Sequence, residues 1–105
     1  MLRNSKKEFI YVLKLAERLT NGDNWTQKDN VIVEQHFKYL KKLLNEGDLV
    51  LAGNTEGLSK DTFGLVIIKA YTEEKAKRIM ENDPVVKENI MKSELYPYKI
   101  DMKSF

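Results

Sequence analysis

EFIYVLKL, residues Glu8 to Leu15, is the stretch on which the fold turns. Six of its eight residues are apolar, and they fall on both alternating faces: Phe9, Tyr11, Leu13 and Leu15 on one, Ile10 and Val12 on the other. Side chains of a strand alternate between faces, so a strand apolar on both is buried on both. FGLVIIKA, Phe63 to Ala70, has the same property. A sheet with two such strands needs a cover on each side.

Outward from these runs, the chain reads as six elements. After the first strand, the Asn-Gly-Asp-Asn cluster at Asn21 to Asn24 marks a loop. Thr26 opens a helix, with Thr26 and Asp29 spaced as a capping box and Val33, Phe37, Leu40 and Leu44 recurring at helical spacing up to Gly47. Asp48 to Gly53 is a short strand, joined to the Phe63 strand by the Gly- and Asn-bearing hairpin connection that ends at Asp61. Thr72 caps a second helix, with Glu73 and Glu74 in its first turn, where the helix dipole favours acids. That helix stops at Asp83, because the residue before proline is pushed out of helical geometry, and Asp83 can cap a further turn begun by Pro84. The last strand is expected near Ser93 to Ile100, at a sheet edge, since Pro97 cannot donate to a ladder. Residues 1–7 are polar and read as frayed.

Strand, helix, strand, strand, helix, strand is the split βαβ pattern of an α+β, ferredoxin-like βαββαβ fold: a four-stranded antiparallel sheet with both helices on one face. No element remains for the other face. A second copy of the chain is the expected cover, giving a symmetric homodimer of facing sheets, open to assembly into a higher array of dimers.

At 105 residues the chain supports one domain, residues 1–105, with its core at about 8–101. Hydrophobic residues are 42% and charged residues 32%, which excludes a disordered or membrane chain. No apolar run approaches the roughly 20 residues of a membrane span, and MLRNSKKEF lacks a signal-peptide apolar region, so the cytoplasm is the expected location. The absence of cysteine removes disulfides, thiolate metal sites and thiol catalysis. The net charge is +2 with bases and acids interleaved, which reads as solvated helix faces with pairs such as Glu34 and Lys38, not as a nucleic-acid footprint.

His36 is the single histidine and falls on the apolar side of the first helix. Spacing alone fits a core histidine with one hydrogen bond; it also fits a general acid or base, since histidine titrates near neutral pH without help. No second histidine or cysteine exists to complete a zinc shell, so no metal is expected. Asp83 reads as a helix cap by itself. Paired with His36 it would fix the imidazole tautomer and free the other nitrogen for proton transfer, and both helices lie on one side of the sheet. Trp25 is either a hydrophobic staple ahead of Thr26 or a pocket wall, and Tyr11 either core, dimer interface or ligand contact. The Gly-bearing loop has neither P-loop nor dinucleotide spacing, so no nucleotide cofactor is indicated, and Ser59 lacks a nucleophile-elbow setting.

Together, WTQKDNVIVEQHFKYLKKLLNEGDLVLAG, FGLVIIKAYTEEKAKRIMENDPVV and ELYPYKI resemble the YCII-related family over about Glu8 to Ile100. The resemblance implies a dimeric α/β-barrel protein whose active site is a helix histidine and an Asp-Pro aspartate, positions held here by His36 and Asp83. It also implies chemistry like that of the muconolactone dehalogenases, in which a proton is taken next to a carbonyl and chloride leaves. The activity expected is thus a lyase-, dehalogenase- or isomerase-like general acid–base reaction on a small carbonyl or lactone compound. The competing reading is a non-catalytic dimer that holds a metabolite or a protein, with His36 and Asp83 as a structural hydrogen bond. An RNA-binding role lacks the exposed aromatic platform among basic residues that such domains use.

Overall fold

The computed structural model describes residues 5–104. Its elements run β1 (Lys7–Leu15), two short 3-10 turns at 17–20 and 22–24, α1 (Gln27–Asn45), β2 (Leu49–Asn54), β3 (Phe63–Ala70), α2 (Glu73–Asn82), α3 (Pro84–Lys87) and β4 (Met91–Pro97). The strands form one antiparallel sheet in the order β2-β3-β1-β4, with the two doubly apolar strands at its centre. This is the ferredoxin-like arrangement expected from the sequence. Of the stretch read as frayed, residues 1–4 lie outside the described residues, and Lys7 already pairs with Ala70 in the sheet.

Phe9, Tyr11 and Leu13 from β1 and Val66, Ile68 and Ala70 from β3 pack against Ile32, Leu40 and Leu43 of α1, Ala76 and Met80 of α2, and Val85 of α3. All three helices therefore cover the Tyr11 face, and burial of each large side chain there contributes about 1.5–3 kcal/mol. On the opposite face, Ile10 and Ile67 are also buried, yet they lie outside this core cluster. Half-buried Val12, Leu51 and Leu65 surround them.

The helix ends follow their local chemistry. Thr26 and Asp29 close the full capping box at the start of α1. At its end Gly47, at φ 81°, takes the left-handed conformation that closes a Schellman motif, with Gly47 N–H bonded to Leu44 O and Asp48 N–H to Leu43 O.

Three expectations shift. The buried stripe of α1 is Asp29, Ile32, His36, Leu40 and Leu43, so the expected Phe37 and Leu44 face solvent at 59% and 54% exposure. A one-residue step rotates a helix by about 100°, and the polar partner waiting for His36 decides which stripe turns inward. The last strand starts two residues earlier than expected and stops at Pro97, which does occupy an edge strand; one more bond, Tyr98 N–H to Glu8 O, follows it. Glu34 and Lys38 form no ion pair, each side chain standing exposed in solvent.

Candidate functional site

His36 lies near the middle of α1 and is 7% exposed. Asp83 lies between α2 and α3 and is fully buried. Its extended backbone ends α2, and its carboxylate accepts from Val85 N–H at 3.2 Å, so the cap read from the Asp-Pro pair is present. The same oxygen, Oδ1, sits 2.6 Å from His36 Nδ1. The other, Oδ2, accepts from the Tyr11 hydroxyl at 2.7 Å. Sequence-distant strand, helix and turn thus converge on one carboxylate.

An ionised Asp83 accepts from Val85 N–H and the Tyr11 hydroxyl and has no hydrogen of its own to give, so it places the imidazole proton on Nδ1. Nε2 then carries the lone pair. No side chain bonds Nε2, and no buried side-chain nitrogen or oxygen among the described residues lacks a partner, so Nε2 is the accessible edge of the ring. Burial, and then the adjacent Asp83 charge, push the Tyr11 phenol far above its ordinary range, so it stays a neutral donor. Tyr39, one turn from His36 and bonded to Ile79 O at 2.7 Å, is pushed up to about 12 by burial and then by Asp83.

His36 opens onto a cavity of about 320 Å³. Its walls include Val33, Phe37 and Leu40 of α1, Leu13, Leu15, Val66 and Met91 of the sheet, and Trp25. The Phe37 ring centroid lies 5.2 Å from that of His36. Gly64 is part of the sheet wall, where an added Cβ would meet Gly53 O at 3.3 Å. Asn54 and Thr62, at the two ends of the β2–β3 connection, are the polar residues of that part of the lining.

Trp25 reaches the cavity with its carbon surface, because its indole N–H is spent on Leu19 O at 3.0 Å. The position that a staple would require, Asn30, is not apolar. Trp25 is set in place by the turn before it and the cap after it. Arg18 grips Asp29 with two bonds, Nη2 to Oδ1 at 2.7 Å and Nη1 to Oδ2 at 3.0 Å, while Asp29 also accepts from Thr26 N–H. Those bonds hold the Asp29 carboxyl well below the usual carboxylate range, the Arg18 guanidinium first and the Thr26 amide next.

Tyr11 does not reach the cavity. Its ring is fully buried beneath Asp83, which makes it a support for the carboxylate instead of a wall for a ligand. Sequence reasoning gave no role to this hydroxyl or to Arg18, and it read Val33 and Phe37 as the helix's apolar stripe instead of cavity walls. The signal for Tyr11 was a tyrosine inside a doubly buried run, since a buried phenol hydroxyl finds a partner. Among the described residues, no three His, Asp or Glu side chains converge as metal ligands, and no helix is long and apolar enough to cross a membrane.

Comparisons with known proteins agree with this architecture. The chain is similar in structure to TftG, the 5-chloro-2-hydroxyhydroquinone dehydrochlorinase of Burkholderia phenoliruptrix AC1100, solved in complex with 2,5-dihydroxybenzoquinone: TM-score 0.60, 20% identity, over 88% of this chain and 93% of that one. It is also similar to SnoaB, a cofactor-independent oxygenase from Streptomyces nogalater, with TM-score 0.50 and 8% identity over 94% and 96% of the two chains. An uncharacterized protein of Thermotoga maritima matches with TM-score 0.50 and 11% identity, over 90% and 99%. At such identities the likeness is one of fold, and two of these folds carry small-molecule enzymes. No curated protein sequence matches significantly. The profile of the YCII-related domain matches residues 10–99, which cover both central strands, His36 and Asp83, and the chain belongs to the YCII-related family.

Proposed function

We propose that this protein is a small-molecule enzyme in which His36 is the general base and Asp83 its orienting partner. The observation that carries this reading is the division of the imidazole: Nδ1 is held by a sealed carboxylate, while Nε2 is unbonded and accessible on a ring that lines a cavity. A base must present a lone pair to substrate and find a counter-charge once it takes the proton, and this pair meets both needs. In the proposed step, Nε2 takes a proton from carbon next to a carbonyl, and the C–H electron pair becomes an enolate. The enolate then expels a leaving group from the adjacent carbon, chloride for example, with its electron pair, or is reprotonated elsewhere by the imidazolium. The first outcome is an elimination and the second an isomerisation. The dehydrochlorinase activity of TftG is in keeping with the first.

The working form is proposed to be a homodimer in which the Ile10 and Ile67 faces meet. That face is apolar yet lies outside the helix-covered core, and its half-buried Val12, Leu51 and Leu65 are the surface a second sheet would cover.

The test is proton exchange in heavy water. Small cyclic ketones and lactones are incubated with the protein, and deuterium uptake next to the carbonyl is followed by NMR. Wild type is expected to catalyse uptake, and His36→Gln to lose it by at least about a hundredfold. Equal uptake by the two proteins refutes His36 as the base. No uptake by either, with His36 silent to pH, returns the pair to a structural role.

A further inference from the structure

We infer that the ligand of this cavity is a small ring compound that carries neither carboxylate nor phosphate: an uncharged carbonyl or phenol-type ring whose acidic hydrogen points to His36. This rests on the proposed base role of His36 and adds the class of molecule on which it acts.

Size sets the first bound. Ligand pockets start at about 300 Å³, and an apolar cavity of about 150 Å³ holds benzene. The cavity here, about 320 Å³, accommodates one substituted ring with little to spare.

Charge sets the second bound. Among the described residues, no lysine or arginine lines the cavity, although the chain has 18 of them. The polar side chains on the wall are His36, Asn54 and Thr62, together with Trp25, whose N–H is already taken. The formal charge next to His36 is the Asp83 carboxylate, which has the wrong sign to attract an anion. Even a protonated His36 leaves the pair neutral, because the imidazolium charge is matched at 2.6 Å. A carboxylate or phosphate entering this site would lose its hydration and find no cation, and an unpaired buried charge is heavily disfavoured. An uncharged ring loses no ionic hydration: its carbon surface packs on Leu13, Phe37, Leu40 and the carbon surface of Trp25.

The chain supplies its own reporters. It has one tryptophan and one histidine, and both line the cavity. Phenol, benzoate and phenyl phosphate share a ring and differ in charge. Each is titrated into the full-length protein, with Trp25 fluorescence and the His36 ring protons as readouts. Phenol is expected to move both signals and to bind about tenfold or more tightly than either anion. Phe37→Lys, at an exposed wall position, places a cation beside His36 and is expected to shift the benzoate-to-phenol preference about tenfold or more toward benzoate. Benzoate or phenyl phosphate binding wild type as well as phenol overturns the inference, as does a cavity that answers to none of the three rings. The base role is judged separately: His36→Gln keeps the ring preference by Trp25 fluorescence if the cavity chemistry is as inferred, whether or not proton exchange depends on His36.

Discussion

Replacing Tyr11 with Phe deletes one oxygen from the centre of the molecule and leaves the ring in place. That oxygen donates at 2.7 Å to Asp83 Oδ2, and both residues are fully buried. No water-facing surface is available to the orphaned carboxylate oxygen, so the cost is that of an unmet charged acceptor, about 1.5–3 kcal/mol, with little cavity term. For a domain of this size the midpoint of thermal unfolding should fall by about 6–15 °C. The decisive measurement is a double-mutant cycle by urea denaturation with Asp83→Asn, at a single protein concentration because dimerisation would contribute to apparent stability. In the Asn background the phenol meets an uncharged amide, and Tyr11→Phe should cost only about 0.5–1.5 kcal/mol, leaving a coupling of about 1 kcal/mol. The reasoning fails if Tyr11→Phe costs under about 0.5 kcal/mol, or if its cost is the same in both backgrounds.

Asp29 has a folded-state pKa below its unfolded value, so its contribution is complete above about pH 5 and declines as pH drops below about 4. The stability gap between wild type and Asp29→Asn, from urea melts across that range, should be flat at neutral pH and shrink on acidification; a gap independent of pH refutes the assignment. For Tyr39 the sign is reversed. Its pKa is raised to about 12, so the unfolded chain gives up the proton first, and stability should fall between about pH 10 and pH 12, by well under the roughly 2–3 kcal/mol of a sealed group because Tyr39 is half-buried and solvent screens it. Tyr39→Phe should make that alkaline limb shallower without abolishing it, because the raised Tyr11 phenol contributes to the same loss; an unchanged limb assigns it to other groups. At the proposed dimer face, Val12→Lys should yield a folded monomer in sedimentation velocity, because Val12 neighbours Ile10 and Ile67 and is only half-buried. A dimer that persists would place the interface elsewhere.

The fold was legible because its signals are local. EFIYVLKL and FGLVIIKA carry two-sided strand patterns, Thr26 and Asp29 form a cap within four residues, and Asp83-Pro84 ends one helix and starts another. The α1 stripe was misplaced by one step for a reason periodicity cannot see. His36 was read on the apolar side of the helix and does turn inward, but the carboxylate 47 residues away that meets it is invisible to a pattern of apolar residues. Phe37 then becomes exposed, and the pattern built on Phe37 and Leu44 loses its core meaning. The candidate pair was visible as residue types, and its contact was not, because hydrogen bonds across 47 and 72 positions leave no spacing to count. Arg18 was silent for a similar reason: its bidentate grip on Asp29 depends on a turn whose Asn-Gly-Asp-Asn sequence reads simply as loop.

Asp83 does three jobs with one carboxylate, and their combination bears on what the site is for. Capping α3 needs an acceptor at Val85 N–H, and Tyr11 needs a partner for its hydroxyl; an asparagine would meet both without the cost of burying a charge. What an asparagine cannot provide is a counter-charge for an imidazolium. A structural histidine would gain nothing from one, and it would do best with both ring nitrogens bonded inside the core, since a polar atom set against an apolar wall wastes hydration. Here the carboxylate is retained at 2.6 Å from Nδ1, while Nε2 is left without a partner at the edge of a cavity walled by leucine, valine and aromatic carbon. A buried anion behind the ring carries a cost that a purely structural role would not offset. In the proposed reading, that anion and the accessible Nε2 prepare the ring to accept a proton from a bound molecule, with the opposing charge already fixed in place before the proton arrives.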